Sequence, residues 1–282
     1  MAAETTVTSA KAWSPDIHVH AAVDAVPDAL IMQTSTVAGS IEGDEPVVRV
    51  AYVDDAAASF VAEGAVIDES DPTLAETLVH TGKIAILVRL SREQYRQMGT
   101  PEALAESVRR AIISKANTAY VSQAAPVAPA VTPPAGLTKI ADIETAPAAV
   151  ATSLDSLIEL IAALETNGAD PTHMLLSPTA WSSLSRFKTG TGSALGLLGA
   201  GVEAPARRLL GLPVLVSNAV PANTGLIIDK RAIVSAVGNV EVSVSKEAYF
   251  SSDSIGVRAV WRVGQNIVRP DRIGTFTVTE PA

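Results

Sequence analysis

The stretch Thr100–Gln123, TPEALAESVRRAIISKANTAYVSQ, decides how the rest of the chain is interpreted. Its apolar residues recur at steps of three and four, which indicates a helix with one apolar stripe. Thr100 is predicted to cap this helix, Pro101 suits the first helical position, and Glu106 can pair with Arg110 at i,i+4. About 22 helical residues make a rod roughly 33 Å long, which is too charged to span a membrane. The stripe comprises Leu104, Val108, Ala111, Ile112, Ala116 and Ala119.

The composition excludes several classes of protein. The net charge of −9 argues against direct recognition of nucleic acid, because proteins that bind a duplex present a basic face. The absence of cysteine excludes disulfides and thiolate chemistry. The start of the chain, MAAETTVTSAKAW, lacks the features of a signal peptide, and no apolar run reaches about 18 residues. We therefore expect a soluble protein that is made in a cytoplasm.

Two alternating segments flank an acidic stretch ahead of the helix. Their period of two is typical of strands, and no Lys or Arg occurs between Arg49 and Lys83. We predict a long hairpin with an acidic flap, which is costly to order unless it lies on something such as a neighbouring subunit. The alternating residues are Val48, Val50 and Tyr52, then Ile84, Ile86, Val88 and Leu90. The acids are Asp54, Asp55, Glu63, Asp68, Glu69, Asp71 and Glu76.

The remaining segments predict an α+β protein with much of its sheet late in the chain. Residues 1–40 read as an arm, with a short amphipathic turn or two between Asp24 and Gln33. The proline-rich stretch 124–136, AAPVAPAVTPPAG, predicts a linker and a boundary near residue 130. Helices are predicted over 148–167, ending at Asn167-Gly168, and over 178–187 from Ser177. Predicted strands cover 174–176, 213–217, 225–228, 240–245, 255–263 and 273–278.

No pattern supports catalysis, a metal or a cofactor. His18 and His20 have the spacing of some metal sites, but only His80 and His173 remain as further imidazoles. The glycines of 190–196 do not match a phosphate-binding loop, and no nucleophile has a recognisable partner base. Asp68-Glu69-Ser70-Asp71 lacks the liganding pattern of a calcium-binding loop, and a turn is the simpler explanation of this segment. We therefore predict that the chain is not an enzyme.

The order of several short motifs is specific. The flap contains Phe60-Val-Ala-Glu-Gly64 and Ile67-Asp-Glu-Ser-Asp-Pro72, followed by Thr81-Gly-Lys-Ile84 and Leu90-Ser-Arg-Glu93. Later motifs are Met174-Leu-Leu-Ser-Pro178, Leu210-Gly-Leu-Pro-Val-Leu-Val-Ser217, Gly225-Leu-Ile-Ile-Asp229 and Val257-Arg-Ala-Val-Trp-Arg-Val263. Over roughly residues 40–280 this order resembles the major capsid proteins of tailed double-stranded DNA phages, which have the Hong Kong 97 fold.

The resemblance implies a function and a set of named parts. The chain would assemble itself into the hexamers and pentamers of an icosahedral shell that encloses DNA without sequence-specific binding. It would be a virion component assembled in the host cytoplasm. The implied parts are an N-terminal arm (1–45), an extended loop (46–88), a peripheral domain (89–135 and 239–270) with a spine helix over 101–123, and an axial domain (136–238 and 271–282).

The resemblance also carries expectations about contacts between subunits. Some relatives crosslink a Lys of the extended loop to an Asn with the help of a Glu; here the flap has no Lys before Lys83, and the other two positions align with Asp253 and Val260. We therefore expect no such crosslink. Because the chain starts with a short arm, we expect a separate scaffolding protein, besides a portal and decoration proteins. Candidate contacts join Glu63, Asp68, Glu69, Asp71 and Glu76 to Arg186, Lys188, Arg207 and Arg208 of a neighbour.

Two other functions remain open at this point. An encapsulin-like compartment protein shares the fold but encloses a cargo enzyme. The proline-rich linker and the residues of the quoted motifs favour the phage family over this alternative. A soluble hydrolase with an unrecognised site belongs to a different class. It would form a small oligomer with measurable turnover rather than a shell.

Overall fold

The computed structural model describes residues 17–53, 74–97, 99–188, 196 and 207–280. Its helices are α1 Ala22–Ala25, α2 Leu30–Thr34, α3 Arg92–Tyr95, α4 Thr100–Ser122, α5 Asp155–Thr166 and α6 Pro178–Arg186. Its strands are β1 Ile17–His20, β2 Thr36–Ile41, β3 Val47–Val53, β4 Leu74–Ser91, β5 Glu144–Thr145, β6 His173–Leu176, β7 Arg208–Leu209, β8 Leu212–Val216, β9 Thr224–Ile228, β10 Ile233–Tyr249, β11 Ser254–Ile267 and β12 Ile273–Thr277. The α+β class is confirmed.

The first sheet has the order β1-β10-β11-β4-β3, and β2 adds to β10 in parallel. The long helix α4 packs on one face of this sheet, where Trp261 and Tyr120 are fully buried. The Trp261 Nε1 donates to the carbonyl oxygen of Gly238 at 2.9 Å, so the indole is satisfied inside the core. Residues 17–41, expected to belong to an arm, join the same body: β1 and β2 pair with β10, and α2 packs against α4.

The second sheet has the order β5-β12-β9-β6-β8-β7 and a separate core. Its buried side chains include Leu157 and Leu160 of α5, Met174 of β6, Leu184 of α6 and Phe276 of β12. The segment 124–136 contains no helix or strand, as its prolines predict, and it returns to the end of α4, where the Gly136 amide donates to the Gln123 carbonyl oxygen at 2.9 Å.

The long helix is present as predicted, but its start and part of its apolar stripe differ: Leu104, Ala111 and Ala119 are only half-buried. Gly99, in the left-handed region with φ +85°, occupies the cap position, so the prediction that Thr100 caps the helix is wrong. A glycine adopts this backbone at no steric cost, which lets the chain turn directly into Thr100. Glu106 does pair with Arg110 at 3.4 Å and also with Arg109 at 3.0 Å. The buried stripe is Val108, Ile112, Ala116, Tyr120 and Val121.

The hairpin exists, but its pairing differs from the expected one. β3 pairs with the first part of β4, from Val53 opposite Leu74 to Val47 opposite His80. The segment around Ile84–Leu90 instead continues the same strand and pairs with β11. β4 is 18 residues long, so one strand serves two neighbours in succession. The period of two marked both segments as strands, but it cannot specify a partner.

The second half of the chain follows its predictions with one shift. α5 begins at Asp155, seven residues later than 148, and its Ile158 is 50% exposed. Asn167 ends α5 and Gly168 follows with φ +75°, as the Asn-Gly pair predicts. The Ser177 Oγ accepts from the Ala180 amide at 3.1 Å and caps α6. The six predicted strands are present, four of them longer than expected.

Candidate interaction surfaces

One of the five acidic residues predicted to contact a neighbouring subunit, Glu76, lies on the described part of the hairpin β3–β4. Glu76 lies opposite Ala51, its side chain is 64% exposed, and its carboxylate is 3.8 Å from Arg49 of β3. An ion pair this exposed contributes only about 0–1 kcal/mol, so it can be exchanged for another partner. Four further acidic candidates, Glu63, Asp68, Glu69 and Asp71, lie outside the described residues.

The four basic candidates cluster around α6. Arg186, in its last turn, donates to the Glu280 carboxylate at 2.8 Å, and Lys188 follows two residues later. The guanidinium of Arg207 lies 5.8 Å from the ring centre of Trp181 on the same helix, a cation–π arrangement. Arg208 begins β7, which pairs with β8, and is exposed. The segments 186–188 and 207–208, which are distant in sequence, thus both supply positive charge next to α6; we refer to them as the α6 surface.

A second basic surface lies on the face of the first sheet that α4 does not cover. Arg258 donates to Ser243 Oγ at 3.3 Å, and Arg262 contacts Asp44 at 3.1 Å and Thr81 Oγ1 at 3.1 Å. They line a shallow groove of about 370 Å³ together with Lys83. Along the same face of β4, Leu87 is 61% exposed, and Arg89 stacks on Tyr249 at 4.9 Å. The alternation of these residues with buried ones was visible in the sequence, but their meeting on one face depends on strand register.

The histidines do not assemble a metal centre in the part of the chain that the structure describes. The rings of His18 and His20 stack with their centres 6.4 Å apart. Burial lowers the pKa of His173, and the charge of Lys230 lowers it further, so both favour the neutral imidazole. On α4, the hydrogen bond from Arg109 lowers the pKa of Glu106, which favours the ionised pair. Among the described helices, none has the length and apolarity to cross a bilayer.

The described part of the chain thus combines two sheets, a long helix over the first sheet, a paired hairpin β3–β4 and exposed charged surfaces. A family model described as the phage capsid family matches residues 22–278. The chain therefore belongs to the phage capsid family. It is a structural protein, the major capsid protein of an icosahedral shell, and neither the encapsulin-like nor the hydrolase alternative is favoured.

Solved structures support the same fold. A chain from Gordonia phage Cozz is 14% identical, with 96% of this chain and 90% of that chain covered and a TM-score of 0.66. A chain from Mycobacterium phage Adephagia is 14% identical, with coverage of 89% and 90% and a TM-score of 0.64. The capsid of the native GTA particle is 16% identical, with coverage of 88% and 89% and a TM-score of 0.62. No curated protein matches the chain significantly.

Proposed function

We propose that this capsid protein forms hexamers and pentamers whose shell encloses double-stranded DNA, and that it assembles in the host cytoplasm. The match to the phage capsid family over residues 22–278 carries this proposal. A portal, a separate scaffolding protein and decoration proteins complete the proposed set of partners. The net charge of −9 agrees with a shell that does not hold the DNA it contains, since like charges keep the wall and the phosphates apart.

We assign the parts of the shell subunit from the two sheets. The hairpin β3–β4 with residues 54–73 is the extended loop, and α4 with the first sheet is the peripheral domain. The second sheet, with α5 and α6, is the axial domain that surrounds the five-fold and six-fold axes. In this assignment the linker 124–136 is the connection between the two domains.

The proposed grip between subunits is electrostatic. Glu63, Asp68, Glu69, Asp71 and Glu76 of one copy meet Arg186, Lys188, Arg207 and Arg208 of a neighbour. The exposure of Glu76, Arg207 and Arg208 supports this contact. Each exposed pair is worth only about 0–1 kcal/mol, but closed symmetry repeats it throughout the shell. Arg186 would exchange Glu280 for its new partner.

The uncovered face of the first sheet is the alternative receptor for the same acids. Lys83, Arg89, Arg258 and Arg262 lie along it, and the exposed Leu87 between the charges provides apolar area that a packed segment can bury. The two basic surfaces belong to different sheets, so the acids of one flap can be tested against each of them separately.

The experiment combines charge reversal with compensation. Asp68→Lys, Glu69→Lys and Asp71→Lys together should reduce the yield of closed particles at least tenfold, as counted in electron micrographs of gradient fractions. The control is Glu159→Lys, Glu165→Lys and Glu247→Lys, three exposed acids whose reversal changes the net charge equally and should leave the yield unchanged.

Compensating reversals then identify the receptor surface. Arg207→Glu with Arg208→Glu should restore particles of the flap triple variant if the acids meet the α6 surface. Lys83→Glu with Arg258→Glu should restore them if the acids meet the first sheet. An undiminished yield from the flap triple variant would refute the electrostatic grip while leaving the capsid function intact.

A further inference from the structure

The inner face of the first sheet is only partly covered by α4. Val240 is 5% exposed, whereas Val242 and Val244, which lie on the same face further along β10, are only half-buried. The helix shows the same gradient, because Ile112 is 2% exposed while Leu104, two turns nearer its start, is only half-buried. Apolar side chains on a face that points towards a helix should be covered, so this end of the core is incomplete.

The uncovered end of this core is a groove of about 460 Å³. The groove exists because the side chains that line it are small. Pro101 and Ala105 on α4 lie across it from Val257 and Ala259 on β11. His18 and His20 of β1 form part of the wall. Clefts of roughly 300–1,000 Å³ with apolar walls hold compact, mostly apolar groups, so the groove has room for one large aromatic side chain and its neighbours.

The chain outside the structure begins at this groove. The register of β1 on β10 sets Ile17 opposite Ser243, so the described chain starts next to Val244, one of the half-buried lining residues. Pro15 has no amide hydrogen to donate to a ladder. Residues 1–16 contain one aromatic residue, Trp13, and four residues of extended chain reach about 13 Å.

We propose that residues 10–16 of the same chain fold back into this groove and that Trp13 fills it. The indole would cover Val242, Val244 and Leu104, which are otherwise left in contact with water. Aromatic side chains bury roughly 150–250 Å² each, which makes one tryptophan a sufficient cover for these small residues. The start of the chain thus closes the core beneath the first half of α4 rather than leaving the subunit.

The absence of cysteine from the chain permits a clean disulfide trap. Ala10→Cys, Ala12→Cys and Ser14→Cys are each combined with Ala105→Cys, which lines the groove, and the full-length protein is oxidised. The matched control replaces Ala105→Cys by Ala103→Cys, which is exposed on α4 but lies outside the groove lining. Disulfides need Cα atoms about 4.4–6.8 Å apart, so the trap reports contact rather than general proximity.

In at least one of the three pairs with Ala105→Cys, both thiols should be lost and the monomer band should shift on a non-reducing gel. The disulfide of that pair should form at least tenfold faster than in its Ala103→Cys control. Disulfide-linked dimers would overturn the proposal in favour of an exchange of arms between copies. Equal rates with Ala103→Cys and Ala105→Cys would overturn it outright.

Fluorescence provides an independent measurement of Trp13. In the variant Trp181→Phe only Trp13 and the fully buried Trp261 emit. Quenching by acrylamide should then be weak, and it should increase at least threefold for Trp13 when Ala105→Phe occupies the groove without adding an indole. Strong quenching of Trp13 before the groove is filled would contradict the proposal even if the cysteine pairs react.

Discussion

Gln265 donates a hydrogen bond of 3.1 Å from its Nε2 to the carbonyl oxygen of Tyr120. The same amide donates to the carbonyl oxygen of Ala135, also at 3.1 Å. Tyr120 lies in the last turn of α4, where carbonyl groups have no partner within the helix, and Ala135 lies at the end of the linker. One buried side chain of β11 therefore joins the helix end, the linker and the first sheet.

Replacing Gln265 by leucine should destabilise the protein by roughly 1–3 kcal/mol, because a buried and a half-buried carbonyl group lose their partner. The loss should lower the melting temperature of the unassembled chain by several degrees, as measured by circular dichroism. Gln97→Leu is the control, since the Gln97 side chain is exposed and lies outside the core. Equal melting temperatures of the two variants would mean that the Gln265 bonds contribute nothing.

Replacing Tyr120 by phenylalanine should change how stability depends on pH. Burial raises the pKa of Tyr120, while the nearby Thr34 hydroxyl, 3.0 Å away, lowers it less. An unfolded phenol loses its proton near pH 10, whereas the folded one keeps it, so the free energy of unfolding falls by about 1.4 kcal/mol per pH unit above about 10. Tyr120→Phe should remove this component from urea titrations between about pH 9 and 11.

Thr34→Val separates titration from hydrogen bonding. This variant loses the contact between the two hydroxyls, so it should be less stable at pH 7 by about 0.5–1.5 kcal/mol, as should Tyr120→Phe. It keeps the buried phenol, and therefore it should retain the steep alkaline decline. If both variants decline alike above pH 10, the phenol of Tyr120 is not the group responsible.

Local signals in the sequence were sufficient for most elements. The stripe of α4 and the cap at Ser177 depend on neighbours within a few residues, so they can be identified without the fold. Strand partners were harder, because Val88 pairs with Val257, some 170 residues away, and an alternating pattern marks a strand without indicating what it pairs with. The start of α4 was misplaced by one residue because both Gly99 and Thr100 are plausible caps.

The candidate contacts show the same limit. Arg186 and Arg207 could be chosen for their charge, but the proximity of Arg186 to Glu280 and of Arg207 to Trp181 arises only when distant segments meet. Arg258 and Arg262 were passed over, although their spacing of four within a strand places both on one face. Charge alone indicates which residues can take part in assembly; register decides which of them share a surface.

Gly136 should tolerate no larger residue. Its backbone, with φ −72° and ψ 158°, suits any amino acid, but an added Cβ would lie 2.5 Å from the Gln123 amide nitrogen and 2.7 Å from that of Ser122. These are backbone atoms at the end of α4 and cannot move cheaply. Gly136→Ala should therefore cost about 1–3 kcal/mol in urea unfolding. In Gly82→Ala the nearest atom is 3.7 Å away, and that control should stay within about 1 kcal/mol of the wild type.

Assembled particles should contain no covalent links between subunits. The crosslink of some relatives needs a Lys in the loop, an Asn in the late strands and a nearby Glu. In this chain Asp253 and Val260 align with the other two positions, those of the Asn and the Glu. The Asp253 carboxylate contacts Arg92 at 2.9 Å, and a valine side chain cannot transfer a proton. Particles boiled in detergent should run as a single monomer band, and a ladder of higher bands would show that another set of residues performs this chemistry. Introducing Asp253→Asn and Val260→Glu should leave the single band unchanged, because no Lys precedes Lys83 in the flap.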